Sequence, residues 1–133
     1  MVEQRKVNPW AWQDQFGFSQ AIEVAGASRV LYCAGQTSTG PDGATLHAGD
    51  MGAQASAALD NLETVLREAD MTLANIVRLN TYVTDVDRYL AEAAAVVGAR
   101  LAAAGVQPAA TLLGISRLAF PDLLVELEAT AVA

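Results

Sequence analysis

Apolar residues recur at helical spacing over residues 50 to 69. Met51, Ala55, Ala58, Leu62, Val65 and Ala69 step by three or four, and Leu59 and Leu66 widen the stripe. Asp50 stands where a carboxylate can accept from the first free amides of a helix. Asp60, Glu63 and Arg67 fall on the wetter side, with Glu63 and Arg67 spaced as an i,i+4 pair. A second helix is predicted from Asp85 or Asp87 to about Ala104. It is marked by Tyr89, Val96, Val97, Arg100, Leu101 and Ala104 and stopped by Gly105. Alternating or β-rich segments lie at 19–24, 29–34, 75–83, 109–115 and 123–132. The first two flank a short turn and read as a hairpin. A Pro-Asp-Gly turn at 41–43 precedes a candidate short strand at 44–47. Residues 8–18 carry Trp10, Trp12, Phe16 and Phe18 at even positions. In an extended arm that parity puts all four rings on one side, over the core or along a pocket.

Single helices between strands imply crossovers, so both helices should cover the same face of one mixed sheet. On the last strand Val125, Leu127, Ala129 and Ala131 suit the helix side, leaving Leu124, Glu126, Glu128 and Thr130 opposite. The same alternation offers Leu31, Cys33, Tyr82 and Leu112 to that second face. Such a surface is too apolar for water and no third helix remains to cover it, which points to another copy of the chain.

Composition narrows the picture. The 133 residues are 53% hydrophobic, and mean hydropathy is +0.26. That suits one compact domain over 1–133 and excludes a disordered chain. Cys33 is the lone cysteine, as suits a reducing cytoplasm. Charged residues at the start and the lack of a long apolar run argue against a signal peptide or a membrane span. Net charge is −7, and the arginines are scattered, which argues against a nucleic-acid partner. One histidine, His47, and one cysteine do not make a zinc site, Lys6 lies in the N-terminal tail, and the glycines form no nucleotide motif. No metal or cofactor is expected.

Several short segments in order resemble the Rid (YjgF-like) proteins, the reactive intermediate deaminases. These are Phe18-Ser19-Gln20-Ala21, Ala34-Gly35-Gln36, Gln54 with 58–62, Ile76-Val77, residues 82–86, Pro108, Arg117-Leu118 and Glu126-Leu127-Glu128-Ala129. The resemblance implies an α+β, chorismate-mutase-like β-α-β-α-β domain, assembled as a homotrimeric barrel with small-molecule pockets between subunits. It also implies hydrolysis of enamine or imine metabolites, although some members carry ribonuclease or translation-inhibitor labels.

The family's active deaminases grip a substrate carboxylate with an arginine two residues after a proline, a pairing that fixes orientation as well as charge. Here Pro108-Ala109-Ala110-Thr111 puts Ala110 at that position. Phe18 stands where the family has tyrosine, and the asparagine of the second helix falls near Ala93. Gly35, Thr111 and Glu126 match the pattern, Glu126 being the carboxylate that helps hold the hydrolytic water. Arg117, seven residues past Ala110, is roughly 23 Å away along a strand, which leaves Arg78 or Arg100 of another subunit as substitute cations. The resemblance therefore implies catalysis by Glu126 beside a substrate site of Phe18, Gly35, Ala110 and Thr111, with 2-aminoacrylate disfavoured. The alternative is a non-catalytic binding or interaction protein using the same pocket.

Overall fold

The computed structural model describes residues 1–133. In chain order come β1 (Glu3–Val7), a 3-10 turn (Trp12–Phe16), β2 (Ala21–Ala25), β3 (Val30–Tyr32), β4 (Gln36–Thr37) and α1 (Met51–Glu68). After a second 3-10 turn (Leu73–Asn75) follow β5 (Ile76–Val83), α2 (Val86–Glu92), α3 (Ala94–Ala103), β6 (Ala109–Gly114) and β7 (Val125–Val132). Five strands form one sheet in the order β3-β7-β5-β6, with β4 also on β7. The β5–β6 pair is parallel and the others antiparallel. The helices pack on one face of the mixed sheet, as the sequence pattern implied, in the β-α-β-α-β arrangement that the resemblance implied. No helix is long and apolar enough to cross a membrane.

The core forms where the helical stripe meets the inward positions of β5 and β7. Met51, Ala55, Ala58, Leu59, Leu62 and Leu66 of α1 bury completely against Val125, Leu127 and Ala131 of β7. The Asp50 carboxylate accepts from the Ala53 amide at 3.0 Å, capping α1 as expected. Gln54 is the polar exception in the buried stripe, bonding the Asp122 carbonyl at 2.9 Å and the Leu124 amide at 2.8 Å. It thereby fixes where β7 begins. The nearby Asn61 amide holds Thr37 and Thr39 carbonyls, both at 2.9 Å, which fixes β4.

Several expectations are corrected. The segments 19–24 and 29–34 do not form a hairpin. β2 pairs with β1, in a two-stranded ribbon apart from the main sheet, while β3 pairs with β7. The chain commits to β7 immediately after the turn, because the Ser28 and Arg29 amides both donate to the Ala133 carbonyl at 2.9 Å. The N-terminal tail is therefore a strand, and Lys6 reaches Gln107 at 3.1 Å. Residues 44–47 contribute only an isolated Thr39–Thr45 bridge. The aromatic arm is not extended. Its 3-10 turn is closed by the buried Gln13 amide on the Trp10 carbonyl at 2.8 Å, which breaks the even-position parity.

The second helix divides at Ala93, whose φ of −131° leaves the helical range, and Asp85 rather than Asp87 is its cap. At this break the Glu92 carbonyl comes so close to α1 that a Cβ on Gly52 would meet it at 2.8 Å, so the crossing requires glycine. On α1, Glu63 pairs across to Arg100 at 3.1 Å rather than along the helix to Arg67. A bulge between Ile76 and Arg78 resets the parity of β5, so Ile76 joins the core-facing side. Leu31 and Cys33 belong to the helix side, one packed against the core and the other within it. Leu112 sits in register with buried Thr81 and also faces the helices. The second face is instead made by Arg78, Asn80, Tyr82, Glu126, Glu128 and Thr130, with exposed Val30, Tyr32 and Leu113 around them.

Candidate functional site

β6 is one edge strand of the sheet, and a cavity of about 770 Å³ opens between it, helices α2 and α3, and the N-terminal turn. Phe16, Phe18, Leu90, Ala110 and Leu112 form much of its wall. Thirteen of its twenty lining residues are hydrophobic, and Asp14 is the only charged one. This is the size and polarity of a small-molecule site. Phe18 is packed edge-on to Trp12, with ring centroids 5.7 Å apart.

Gln107 locks this wall in place. Its amide nitrogen donates to the Phe18 carbonyl at 2.7 Å and to Asp14 Oδ1 at 2.9 Å. The Gln107 backbone carbonyl accepts from the Ser19 hydroxyl at 2.6 Å, and the Ser19 amide donates to the Pro108 carbonyl at 2.9 Å. Phe18, Ala110 and Thr111, expected to share a site, therefore do line one cavity. Ser19 lay within a segment that carries the family resemblance, whereas Gln107 and Gln13, which help hold that cavity together, carried no signal in the sequence, since a lone amide leaves no periodic mark.

Gly35 and Glu126 lie together elsewhere, on the part of the sheet formed by β4 and β7. The Glu126 side chain folds onto the Gly35 backbone so closely that a Cβ there would stand 2.0 Å from its Oε1. Gly35 is thus required by the carboxylate beside it. Burial, and then the neighbouring Glu128, push the Glu126 carboxyl above its ordinary value. Glu128 moves the other way, held down first by the Asn80 amide at 3.0 Å and next by the Tyr82 hydroxyl at 2.8 Å. The side-chain oxygen of Asn80, by contrast, is buried without a partner. Within one chain the expected site residues thus form two groups, one around Ala110 and one around Glu126.

The arginines do not refill the Ala110 position from within the chain. Arg100 is bound to Asp60 at 2.8 Å, to Glu63 and to the Ser56 carbonyl. Arg117 turns onto the carbonyls of Leu118 and Ala119 in its own loop. Arg78 donates to the Thr111 hydroxyl at 2.9 Å, from a strand position on the second face. Ala93, near the expected asparagine, is buried at the helix break. Cys33 is buried, which pushes its thiol up, and His47 lies exposed in a loop at a positive φ of 58°.

Residues 11–133 match the family described as Endoribonuclease L-PSP. Among solved structures the chain is similar to YyfB of Yersinia pestis, a Rid-family protein of unknown function. That likeness has 39% identity, a TM-score of 0.87 and 98% of each chain covered. The YjgF gene product of E. coli is similar at 26% identity and a TM-score of 0.69, covering 86% of this chain and 87% of that one. A RutC family protein of Pyrococcus abyssi shares 29% identity over 114 residues, 86% of this chain and 84% of its own length. The sheet with its helices on one face is the architecture of the YjgF-like class. The chain belongs to the Rid (YjgF-like) family.

Proposed function

We propose that this chain works as a cytoplasmic homotrimer whose ligand site pairs the cavity beside β6 with the Gly35–Glu126 corner of a neighbouring copy. The site takes a neutral imine or enamine rather than a carboxylate-bearing one such as 2-aminoacrylate. The observation that carries this reading is the cavity around Ala110, which holds no cation and has one carboxylate, Asp14, at its edge. An anion excluded from water there meets no counter-charge, a loss of several kcal/mol by general experience with unpaired buried charge. A neutral imine meets no such penalty. Glu126, its carboxyl raised toward the protonated form, suits a proton transfer in either direction. As an acid it protonates the imine nitrogen. As a carboxylate it takes a proton from the water that adds to the imine carbon. Cleavage of the carbon–nitrogen bond then gives a carbonyl compound and an amine.

A second reading, a non-catalytic binder using the same pocket, is favoured by Phe18 and Ala110, which offer neither a hydroxyl nor a guanidinium to a reacting group. A ribonuclease role has less support, because net charge is −7 and the arginines near the site are engaged within the chain. The deciding assay generates 2-aminoacrylate with a dehydratase and follows its decay. The expected result is little or no acceleration, against clear acceleration of a neutral imine if the protein is catalytic. Acceleration of 2-aminoacrylate comparable to that of an arginine-containing relative would overturn the neutral-substrate reading.

A further inference from the structure

The cavity beside β6 contains two hydroxyls that packing does not explain. Thr81 occupies a core-facing position of β5, between Leu79 and Val83 on the same side, where valine would fill the same volume without a polar atom. Tyr89 occupies the buried side of α2. The two are 7% and 6% exposed, and both line the cavity. The Thr81 side chain is the polar neighbour that acts on the Tyr89 hydroxyl within the chain.

Two hydroxyls carry two donors and four lone pairs, of which a mutual bond would use only one of each. Because both side chains line the cavity, that remaining capacity is available to a ligand that supplies both a donor and an acceptor. Burial also raises the Tyr89 hydroxyl above its ordinary value, with Thr81 pulling slightly the other way, so it stays an O–H donor.

We infer that Tyr89 and Thr81 form the polar end of a binding site for a neutral molecule with an apolar body and one group that both accepts and donates, such as an amide or an N–H imine. The apolar body lies along Phe18, Ala110 and Leu112. This inference rests on the reading of the cavity as the ligand site and adds to it the residues that select the ligand. The absence of an arginine side chain at Ala110 is what leaves room for a ligand along β6 toward Thr81.

The test is calorimetry with three probes of similar size: benzamide, benzoate and toluene. Wild type should bind benzamide more tightly than benzoate. The conservative variants Tyr89→Phe and Thr81→Val keep the shape and remove one hydroxyl each. Each should weaken benzamide about 3- to 10-fold, the range for one hydrogen bond, and leave toluene unchanged. Unaltered benzamide binding in both variants, or an equal loss of toluene, would overturn the two-hydroxyl site while leaving the preference for neutral ligands standing. Benzoate bound more tightly than benzamide by wild type would instead sink the neutral-ligand reading and this inference with it. No benzamide binding up to its solubility limit would also overturn the inference.

Discussion

The cavity beside β6 and the carboxylate cluster on β7 belong to one sheet but hold polar groups by opposite means. The cavity has a single charge, Asp14, in its lining, and the hydroxyls of Thr81 and Tyr89 sit among mostly apolar walls. On the second face, charge is kept and answered: Asn80 and Tyr82 both donate to one oxygen of Glu128. Glu126 shows how local the difference is. It lies two residues from Glu128 on the same strand face, yet one carboxyl is raised and the other lowered. Glu128 has donors, whereas Glu126 has burial against Gly35 and a like charge nearby. Burial at Glu126 and hydrogen-bond donors at Glu128, rather than the strand face they share, set the opposite directions of the two carboxyls.

The largest effect is expected where a second copy would cover the second face. Leu113 is 47% exposed in the single chain, so Leu113→Glu should be harmless to a monomer. In the proposed trimer it buries an unpaired charge, costing several kcal/mol, and should dissociate the assembly. Light scattering on wild type should give three times the 13.9 kDa chain mass. A wild-type monomer stable at micromolar concentration would break the comparison at its root.

Next in size is the helix side of β7. Leu127 is completely buried, and Leu127→Ala should cost about 2–5 kcal/mol in denaturant unfolding. A smaller change in affinity is expected in the cavity. Ala110→Arg should tighten benzoate about 10-fold, the return on one new charge-assisted pair, with benzamide unchanged or weakened. A variant that keeps its assembly and gains no benzoate affinity would show that the cavity is not where acids are refused.

The smallest effects are in pH dependence, and the two glutamates should differ in sign. The raised carboxyl of Glu126 contributes stability that is fully present below its unfolded value and is lost as pH rises through the folded one. Glu126→Gln should therefore melt above wild type near neutral pH, with the gap closing in acid. The lowered carboxyl of Glu128 contributes stability that is present above its unfolded value and is lost as pH falls through the folded one. Glu128→Gln should melt below wild type near neutral pH, and that gap should also close in acid. Thermal melts from about pH 4 to pH 8 separate the two, and matching signs would refute the contrast.

Much of this was legible in the sequence, for reasons that particular elements make clear. α1 and its Asp50 cap follow from a strong 3.6-residue stripe, and β5, β6 and β7 begin and end within about two residues of their expected limits. Pairing was less legible. Alternation assigns side chains to two faces, but a one-residue change of parity exchanges those faces, as happened for Leu31, Cys33 and Leu112. β2 and β3 flank a short turn, but both had better partners than each other. The break at Ala93 lies in an alanine-rich run with neither glycine nor proline to mark it. Within the site, the cavity residues Phe18, Ala110 and Thr111 were legible through family resemblance. Gln107, Thr81 and Tyr89 owe their roles to contacts made only on folding.

The place of β7 also bears on when the protein can fold during its synthesis. This strand, residues 125–132, lies between β3 and β5 and also pairs with β4. Until it has been made, β3 and β4 have no partner in the main sheet and the apolar stripe of α1 has lost its chief cover. A nascent chain can form α1 and the local β5-α2-α3-β6 unit early, but sheet closure waits for the segment made last among its strands. Ribosome-bound chains stalled before residue 125 should be open to proteases and chaperones, while release of β7 lets the core close in a single late step.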